Sequence, residues 1–321
     1  MSVMDRNLAL EAVRVTEAAA IAASKLMGRG DEKQADQAAV DAMRRALNGL
    51  AIDGTVVIGE GEREEAPMLF IGESVGQRTG PKVDIAVDPL ESTTLCAKNM
   101  PGAIAAMVMA EGGTLLNAPD VYMEKIAVGP GYRTGVVDLD ASPEDNIHAL
   151  AKEKGAERIT ALILDRPRHA DLISAVRKTG ASVSLITDGD VAGVIHTSTP
   201  ETTGIDIYVG IGGAPEGVLA AAALRCIGGQ MQGRLVLDTE EKRERAKKMG
   251  IRDPRKKYSK EDMVRGDCLF AATGVTSGSL LTGVRFKGKI IETETVVMRS
   301  ATGTVRWIRA EHRHLAKFQP D

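Results

Sequence analysis

The sequence predicts an α/β protein built from two tightly packed halves. From about residue 143 onward, helical and β-branched segments alternate, which is the rhythm of a parallel α/β unit. Ahead of that point, two long helical segments lead into short β-rich runs that close on glycine or proline turns. The 321 residues are 43% hydrophobic, enough for one large core or two smaller ones. The halves are expected at 1–157 and 158–321, with no long Gly/Ser linker and with a site in the cleft between them.

Leu8, Leu10, Val13, Val15, Ala18, Ile21 and Leu26 recur at loosely helical spacing, predicting a helix over 5–27 that Gly28-Arg29-Gly30 stops. A second helix is expected over 33–50, then a strand over 55–58 closed by Gly59-Glu60-Gly61-Glu62. Val83 to Val87 is a β-branched run that predicts a buried strand, with Pro89 ending its ladder. Strands over 104–109 and 115–116 join at Glu111-Gly112-Gly113, and strands over 122–128 and 135–138 follow. Helices over 143–154, 170–179, 190–197 and 216–227 alternate with strands over 159–164, 182–186 and 205–209. Residues 238–265 are heavily charged and read as a solvated helix face. Strands at 268–272, 284–286, 294–299 and 304–308 complete the chain.

Several function classes are excluded by composition. A net charge of −3 favours neither nucleic acid nor anionic membranes, and an aromatic content of 3% leaves few rings for base stacking. No 18-residue apolar run and no signal-peptide core are present, so a cytoplasmic protein is expected. Cys96, Cys226 and Cys268 are far apart and form neither a zinc spacing nor a disulfide framework. There is no Gly-Lys-Ser/Thr phosphate loop, and Pro215 stands where a dinucleotide Gly-x-Gly-x-x-Gly would need glycine. His312 and His314 are read as an exposed, idle pair.

The chemistry concentrates at strand ends. Asp88 closes the Val83 strand, Glu91 follows on the turn, and Ser92-Thr93-Thr94 offer hydroxyls and a cap for the next helix. Carboxylates collect hard cations and helix N-termini collect phosphate, a combination suited to metal-assisted phosphate chemistry. Asp36 lies near the start of the second helix, Glu60 and Glu62 follow the Thr55 strand with Glu64 and Glu65 beyond, and Glu216 follows the Ile205 strand. Glu60, Asp88 and Glu216 thus fall just after β-runs, where α/β folds place ligands.

Asp88-Pro89-Leu90-Glu91-Ser92-Thr93 resembles the signature of the metal-dependent sugar and inositol phosphatases. With Gly28-Arg-Gly-Asp, Asp53-Gly-Thr-Val-Val-Ile-Gly-Glu-Gly-Glu, Tyr122-Met-Glu-Lys, Arg166-Pro-Arg-His, Asp188-Gly-Asp and Ile211-Gly-Gly-Ala-Pro-Glu-Gly, the chain is similar over nearly its whole length to the class II fructose-1,6-bisphosphatases. That resemblance implies a layered α-β-α-β-α sugar-phosphatase fold, and hydrolysis of the 1-phosphate of fructose 1,6-bisphosphate in gluconeogenesis with Mn²⁺ or Mg²⁺. It implies one metal on Asp36 and Glu60 and another on Asp88, Glu91 and Glu216. Substrate would meet Glu91, Ser92, Thr93, Tyr122, Arg166, Pro167, Arg168, Asp188, Gly189, Asp190 and Gly213. Thr93 would orient the attacking water, Glu64 would take its proton, and Lys33 would serve as a catalytic cation. The expected partner is a small sugar bisphosphate, with no nucleic acid or membrane, and the protein is expected to be a homo-oligomer, a dimer or tetramer.

Two positions depart from the family pattern. Ser92 replaces the signature glycine, and Glu32 stands where a lysine is usual, with Lys33 one residue later. Two alternatives stay open: a bisphosphatase that also takes sedoheptulose 1,7-bisphosphate, and a noncatalytic paralogue that binds sugar phosphate. Ser92 is expected to cap the following helix and to add a hydrogen bond through its hydroxyl.

Overall fold

The computed structural model describes residues 7–61, 68–156, 158–314 and 318. In chain order the elements begin with α1 (Leu8–Ser24), α2 (Glu32–Asn48), β1 (Asp53–Ile58), β2 (Ser74–Val75), β3 (Lys82–Glu91), α3 (Thr93–Ala97) and β4 (Ile104–Glu111). Next come β5 (Tyr122–Val128), α4 (Pro143–Lys154), β6 (Thr160–Leu164), a 3₁₀ turn (Pro167–His169), α5 (Ala170–Lys178), β7 (Ser182–Ile186) and α6 (Asp190–His196). They are followed by α7 (Pro200–Thr203), β8 (Ile207–Gly213), α8 (Ala214–Ile227), β9 (Gln230–Leu235), α9 (Glu240–Lys248), β10 (Lys257–Ser259) and α10 (Lys260–Met263). The chain closes with β11 (Cys268–Gly274), β12 (Arg285–Lys287), β13 (Ile290–Arg299), a 3₁₀ turn (Ser300–Thr302) and β14 (Thr304–His312).

Two compact units result. The first combines residues 1–115 with 266–321, and the second is the continuous segment 116–265. The cut expected near residue 157 therefore falls inside the second unit, between α4 and β6. The first unit is discontinuous because β11 pairs with β4, a strand more than 150 residues earlier, in register from Cys268↔Ala110 to Gly274↔Ile104.

The first unit holds a mixed sheet ordered β12-β13-β11-β4-β3-β1-β2, with β14 also on β13. One of its faces is covered by α1 and α2. Ala19, Ile21, Met43 and Leu47 from the helices pack with Ile85, Val87, Met107, Met109 and Leu269 from the strands, all essentially without solvent exposure. Beneath α1, a buried polar chain links Thr273 to Thr16 and Thr295, and Thr293 to Glu17 and His312. His312 is thus buried rather than exposed. Its Nε2 meets the Thr293 hydroxyl at 3.0 Å because β14 carries it to the inner face of the sheet.

Strand β3 does not end at Asp88 as Pro89 suggested. It runs on to Glu91, with Asp88 opposite Ala106 and Glu91 opposite Ile104. Two residues, Pro89 and Leu90, face Ala105 alone, so the proline occupies a β-bulge where no ladder donor is required. The proposed strand at 115–116 forms only an isolated bridge at Leu115, and 135–138 forms turns. Leu115 is drawn elsewhere: the buried Asp84 carboxylate accepts the N–H groups of Gly113, Thr114 and Leu115 at 2.9, 2.8 and 3.0 Å.

The second unit is a sheet ordered β10-β9-β5-β8-β6-β7. Strands β6, β7 and β8 are parallel, as the alternating rhythm predicts, whereas β5 and β9 run antiparallel to their neighbours. Ile147, Leu150, Ile173 and Val176 of α4 and α5 cover one face against Ile126, Ala161, Ile163 and Ile207. Among the described residues no helix is long and apolar enough to cross a membrane.

Asp84→Ala should remove the acceptor of the Thr114 and Leu115 N–H groups in the first unit. At about 1–3 kcal/mol for each buried unsatisfied group, a loss of roughly 2 kcal/mol or more is expected, read as a lower denaturant midpoint at unchanged slope.

Candidate functional site

In the first unit the candidate residues gather at the C-terminal ends of the parallel pair β1 and β3. Ile58 lies opposite Ala86, so Glu60 and Asp88 stand two residues beyond the same rung. Gly59 makes this possible, since a Cβ there would fall 1.9 Å from the Leu69 carbonyl oxygen. The Glu60 N–H in turn donates to that carbonyl at 3.1 Å.

The bulge in β3 then decides direction. Three residues apart in a regular strand, Asp88 and Glu91 would point to opposite faces. Their partners Ala106 and Ile104 are two apart on β4, so both acids share one face, opposite the core under α1 and α2. Asp36 sits in the second turn of α2, close enough to Glu60 for its charge to act on it. The glycine loop ahead of α2 is tied to α3 by Gly28 N–H to Cys96 O at 3.0 Å and Gly30 N–H to Ala97 O at 2.9 Å. Lys33 is exposed on the first turn of α2, which Asp31 caps through the Gln34 N–H. Glu64, with Glu62 and Glu65, lies outside the described residues.

Burial raises the pKa of Asp36, and burial followed by repulsion from Asp36 pushes Glu60 up to about 8. Acids so placed favour either a proton or a cation.

Ser92 departs from expectation. It is 8% exposed and adopts φ 72°, ψ 57°, the left-handed conformation that favours glycine. Its side chain makes no capping bond, and among the described residues its buried Oγ has no hydrogen-bond partner. Ser92 is the single residue that joins the end of β3 to the start of α3. Thr93, the first residue of α3, follows directly.

In the second unit the candidate residues collect at the C-terminal ends of β6, β7 and β8, beside the start of β5. Tyr122 pairs with Gly213 in the ladder, and the Arg168 guanidinium lies 4.6 Å over the Tyr122 ring. Arg168 also donates to Ile211 O at 2.7 and 3.1 Å. Arg166 and Asp188 approach to 4.0 Å, and Pro167 opens the 3₁₀ turn between the arginines. Gly189 takes the left-handed conformation that starts α6, at φ 88°.

His169 supports this corner. Its Nε2 accepts the Ile211 N–H at 2.8 Å, so its Nδ1 carries the proton and donates to Leu164 O at 2.7 Å. Burial lowers its pKa, which keeps that neutral form.

Asp190 is buried, and Lys125 donates to its Oδ2 at 2.5 Å and to Gly213 O at 2.6 Å. Glu216, in the first turn of α8, folds back over Gly213, where an added Cβ would lie 1.8 Å from its Oε2. Its pKa is raised by burial and by Asp190, against the opposing charge of Lys125. Among the described residues its buried Oε2 has no hydrogen-bond partner.

Sequence reasoning overlooked Lys125 and His169 as individuals, although both stand inside quoted blocks. Lys125 carried a signal, a lone lysine in a strand otherwise rich in Ile126, Ala127 and Val128.

The donor set suits a hard divalent cation: every candidate ligand is a carboxylate, three of the acids have pKa values raised by burial, and a Glu216 oxygen lacks a partner among the described residues. Among the described residues no three His, Cys, Asp or Glu side chains are arranged as a complete metal site.

The family described as "Bacterial fructose-1,6-bisphosphatase, glpX-encoded" matches residues 6–312. The chain belongs to this bacterial fructose-1,6-bisphosphatase family. Two Synechococcus proteins named "D-fructose 1,6-bisphosphatase class 2/sedoheptulose 1,7-bisphosphatase", from strains JA-3-3Ab and JA-2-3B'a(2-13), are each 46% identical over 336 aligned positions, covering 96% of both chains. The Escherichia coli (strain K12) protein named "Fructose-1,6-bisphosphatase 1 class 2" is 47% identical over 334 positions, covering 99% of this chain and 98% of its own. The bisphosphatase family therefore spans both units, and the candidate carboxylates Asp36, Glu60, Asp88 and Glu91 fall in the first and Glu216 in the second.

Two outcomes are expected. Because the folded pKa of Glu60 lies above its ordinary value of 4.5, the folded chain binds more protons than the unfolded chain between about 4.5 and 8. In chelator, stability is greatest below that window and falls as pH rises through it; Glu60→Gln should flatten the decline in thermal midpoint. Ser92→Gly should relieve the left-handed strain and remove an unsatisfied hydroxyl, raising stability by about 1 kcal/mol net of the added chain entropy, measured by denaturant unfolding.

Proposed function

We propose that the chain hydrolyses fructose 1,6-bisphosphate at its 1-phosphate, yielding fructose 6-phosphate and inorganic phosphate, as a cytoplasmic gluconeogenic step. The observation that carries this is near full-length identity of 46–47% to proteins named for that activity. The grouping of the candidate residues at strand ends in each unit supports it.

The family is metal-dependent. Oxygen-only donors favour Mn²⁺ or Mg²⁺ over zinc. In the first unit Asp36 and Glu60 would hold one ion and Asp88 and Glu91 another, and Glu216 is the cation ligand that the second unit offers. A bound divalent ion supplies polarisation of the phosphoryl oxygens and a lowered pKa for water.

The chain's own residues do the rest. The Thr93 hydroxyl orients the attacking water at the start of α3. Glu64 accepts its proton, and Lys33 offers positive charge to the phosphoryl group. The backbone at Ser92 faces the phosphate. Arg166 and Arg168 hold the distal phosphate, because guanidinium forks match its oxygens. Arg168 is already stacked on Tyr122 and bonded to Ile211, so little freedom is lost on binding. Asp188, beside Gly189, accepts from sugar hydroxyls.

Phosphate release from purified protein, with Mn²⁺ or Mg²⁺ and with chelator, tests the reading. Release that stops on chelation and returns with metal is expected; undiminished turnover after exhaustive chelation would remove the metal assignment, and no release at all would leave the noncatalytic alternative. Because the Synechococcus relatives carry both substrates in their names, sedoheptulose 1,7-bisphosphate belongs in the same assay. Thr93→Ala should lower kcat by roughly 100-fold or more with little change in KM, since a water-orienting group acts in the transition state. Thr93→Ser should retain part of the rate.

A further inference from the structure

Lys125 is the most unusual residue of the second unit. It lies in the middle of β5, flanked on both sides by strands, and is 1% exposed. Burying an ammonium is expensive, and a buried ion pair is seldom worth more to stability than a well-packed apolar residue of the same volume. The position therefore calls for a reason other than stability.

Its surroundings supply one. In the ladders Lys125 stands opposite Gly210 on β8 and Gly233 on β9, so neither residue directly across from it carries a side chain. A Cβ on Gly217 of α8 would lie 3.5 and 3.6 Å from the Lys125 Cδ and Cε, so the aliphatic stem runs along that helix. A Cβ on Gly212 would lie 2.0 Å from the Asp190 Oδ2 and 3.1 Å from the Lys125 Nζ. The ammonium then donates in two directions, to the Asp190 carboxylate at 2.5 Å and to the Gly213 carbonyl at 2.6 Å.

Those two acceptors begin different elements. Asp190 opens α6, immediately after Asp188 and Gly189, and Gly213 ends β8, three residues before Glu216. We propose that Lys125 is a positioning residue: by bonding Asp190 and Gly213 at once it ties the Asp188–Asp190 loop to the Gly213–Glu216 turn, and so sets the geometry in which this unit receives a sugar phosphate. This rests on the proposed bisphosphatase activity. It assigns no contact of Lys125 with substrate. The charge-assisted bond supplies rigidity where two loops would otherwise move independently, and a misplacement of about 1 Å is enough to weaken binding severely.

The test uses the full-length chain, in three variants: Lys125→Met, which keeps the stem and removes the ammonium, Asp190→Asn, which weakens the tie from the other side, and the double variant. Each is checked by circular dichroism and thermal midpoint, then assayed for phosphate release from fructose 1,6-bisphosphate with Mn²⁺. If the tie positions the loops, each single change raises KM about 10-fold or more. The double variant shows the same rise rather than the product of the two, because both changes break one connection. A merely structural pair behaves differently: misfolded protein lowers the active fraction, and hence the apparent kcat, while the folded remainder keeps its KM. Should Lys125→Met fail to fold, the double variant leaves no unpaired Asp190 carboxylate beside the lost ammonium and gives the answer in its place. A parental KM in folded Lys125→Met, or in the double variant, overturns the proposal. Absence of phosphate release by the parent chain fails the bisphosphatase reading itself, and an active parent with an unaffected Lys125→Met fails only the positioning role.

Discussion

One extra residue in β3 governs the first unit. Strand β3 is paired on both sides, to β1 and to β4, so its register is fixed by two ladders and by the apolar core beneath α1 and α2. A slip of one residue would exchange the two faces of the strand. The bulge at Pro89 and Leu90 makes that exchange locally and only once. Val83, Ile85 and Val87 face the core before it, and Leu90 faces the core after it. Asp88 and Glu91 are thereby left together on the other face. The proline fits because the bulge demands no ladder donor from it, and the strain at Ser92 follows because the strand must become a helix in the next residue.

The two units manage buried acidity in different ways. In the first, Glu60 is pushed to about 8 by burial and by Asp36, a repulsion that a proton or an added cation relieves. In the second, the corresponding pressure on Glu216 from burial and Asp190 is opposed from within by Lys125. The first arrangement keeps its charge deficit available to a ligand. The second uses an internal cation whose bonds also fix the backbone. A chain that gathered acids for stability alone would do neither, since unpaired buried carboxylates are destabilising.

Most of the architecture was legible where periodicity was long. The helix at Pro143–Lys154, the β6–β7–β8 alternation and the final strands follow from apolar spacing and turn residues. Legibility failed where a single residue's partner lies far away in sequence. Leu115 would extend a hairpin on local grounds, yet Asp84 captures its N–H from 31 residues earlier. His312 looks like a solvated terminal histidine until β14 places it beside Thr293 and Glu17. The discontinuity of the first unit was invisible because the pairing of β11 with β4 leaves no compositional mark at residue 115 or 266. Glu60 and Glu216 were readable because each follows a strand, β1 and β8, and Asp88 and Glu91 because they flank the turn-forming Pro89. Their pKa shifts and the Lys125 tie were not, because both arise from burial.

The glycines show how one sequence pattern can have two physical causes. Gly210, Gly212, Gly213 and Gly217 imitate a nucleotide-binding loop, and Pro215 breaks the match. In a dinucleotide fold such glycines admit a pyrophosphate to the backbone. Here at least two of them admit the protein's own carboxylates. Asp190 fills the space at Gly212 and Glu216 the space at Gly213, each within a distance that any Cβ would forbid. Gly59 does the same for a carbonyl oxygen, and so delivers Glu60 to the end of β1. At Gly212 and Gly213 the glycine spacing is therefore a record of where polar side chains approach the main chain, Asp190 and Lys125 at the first and Glu216 at the second.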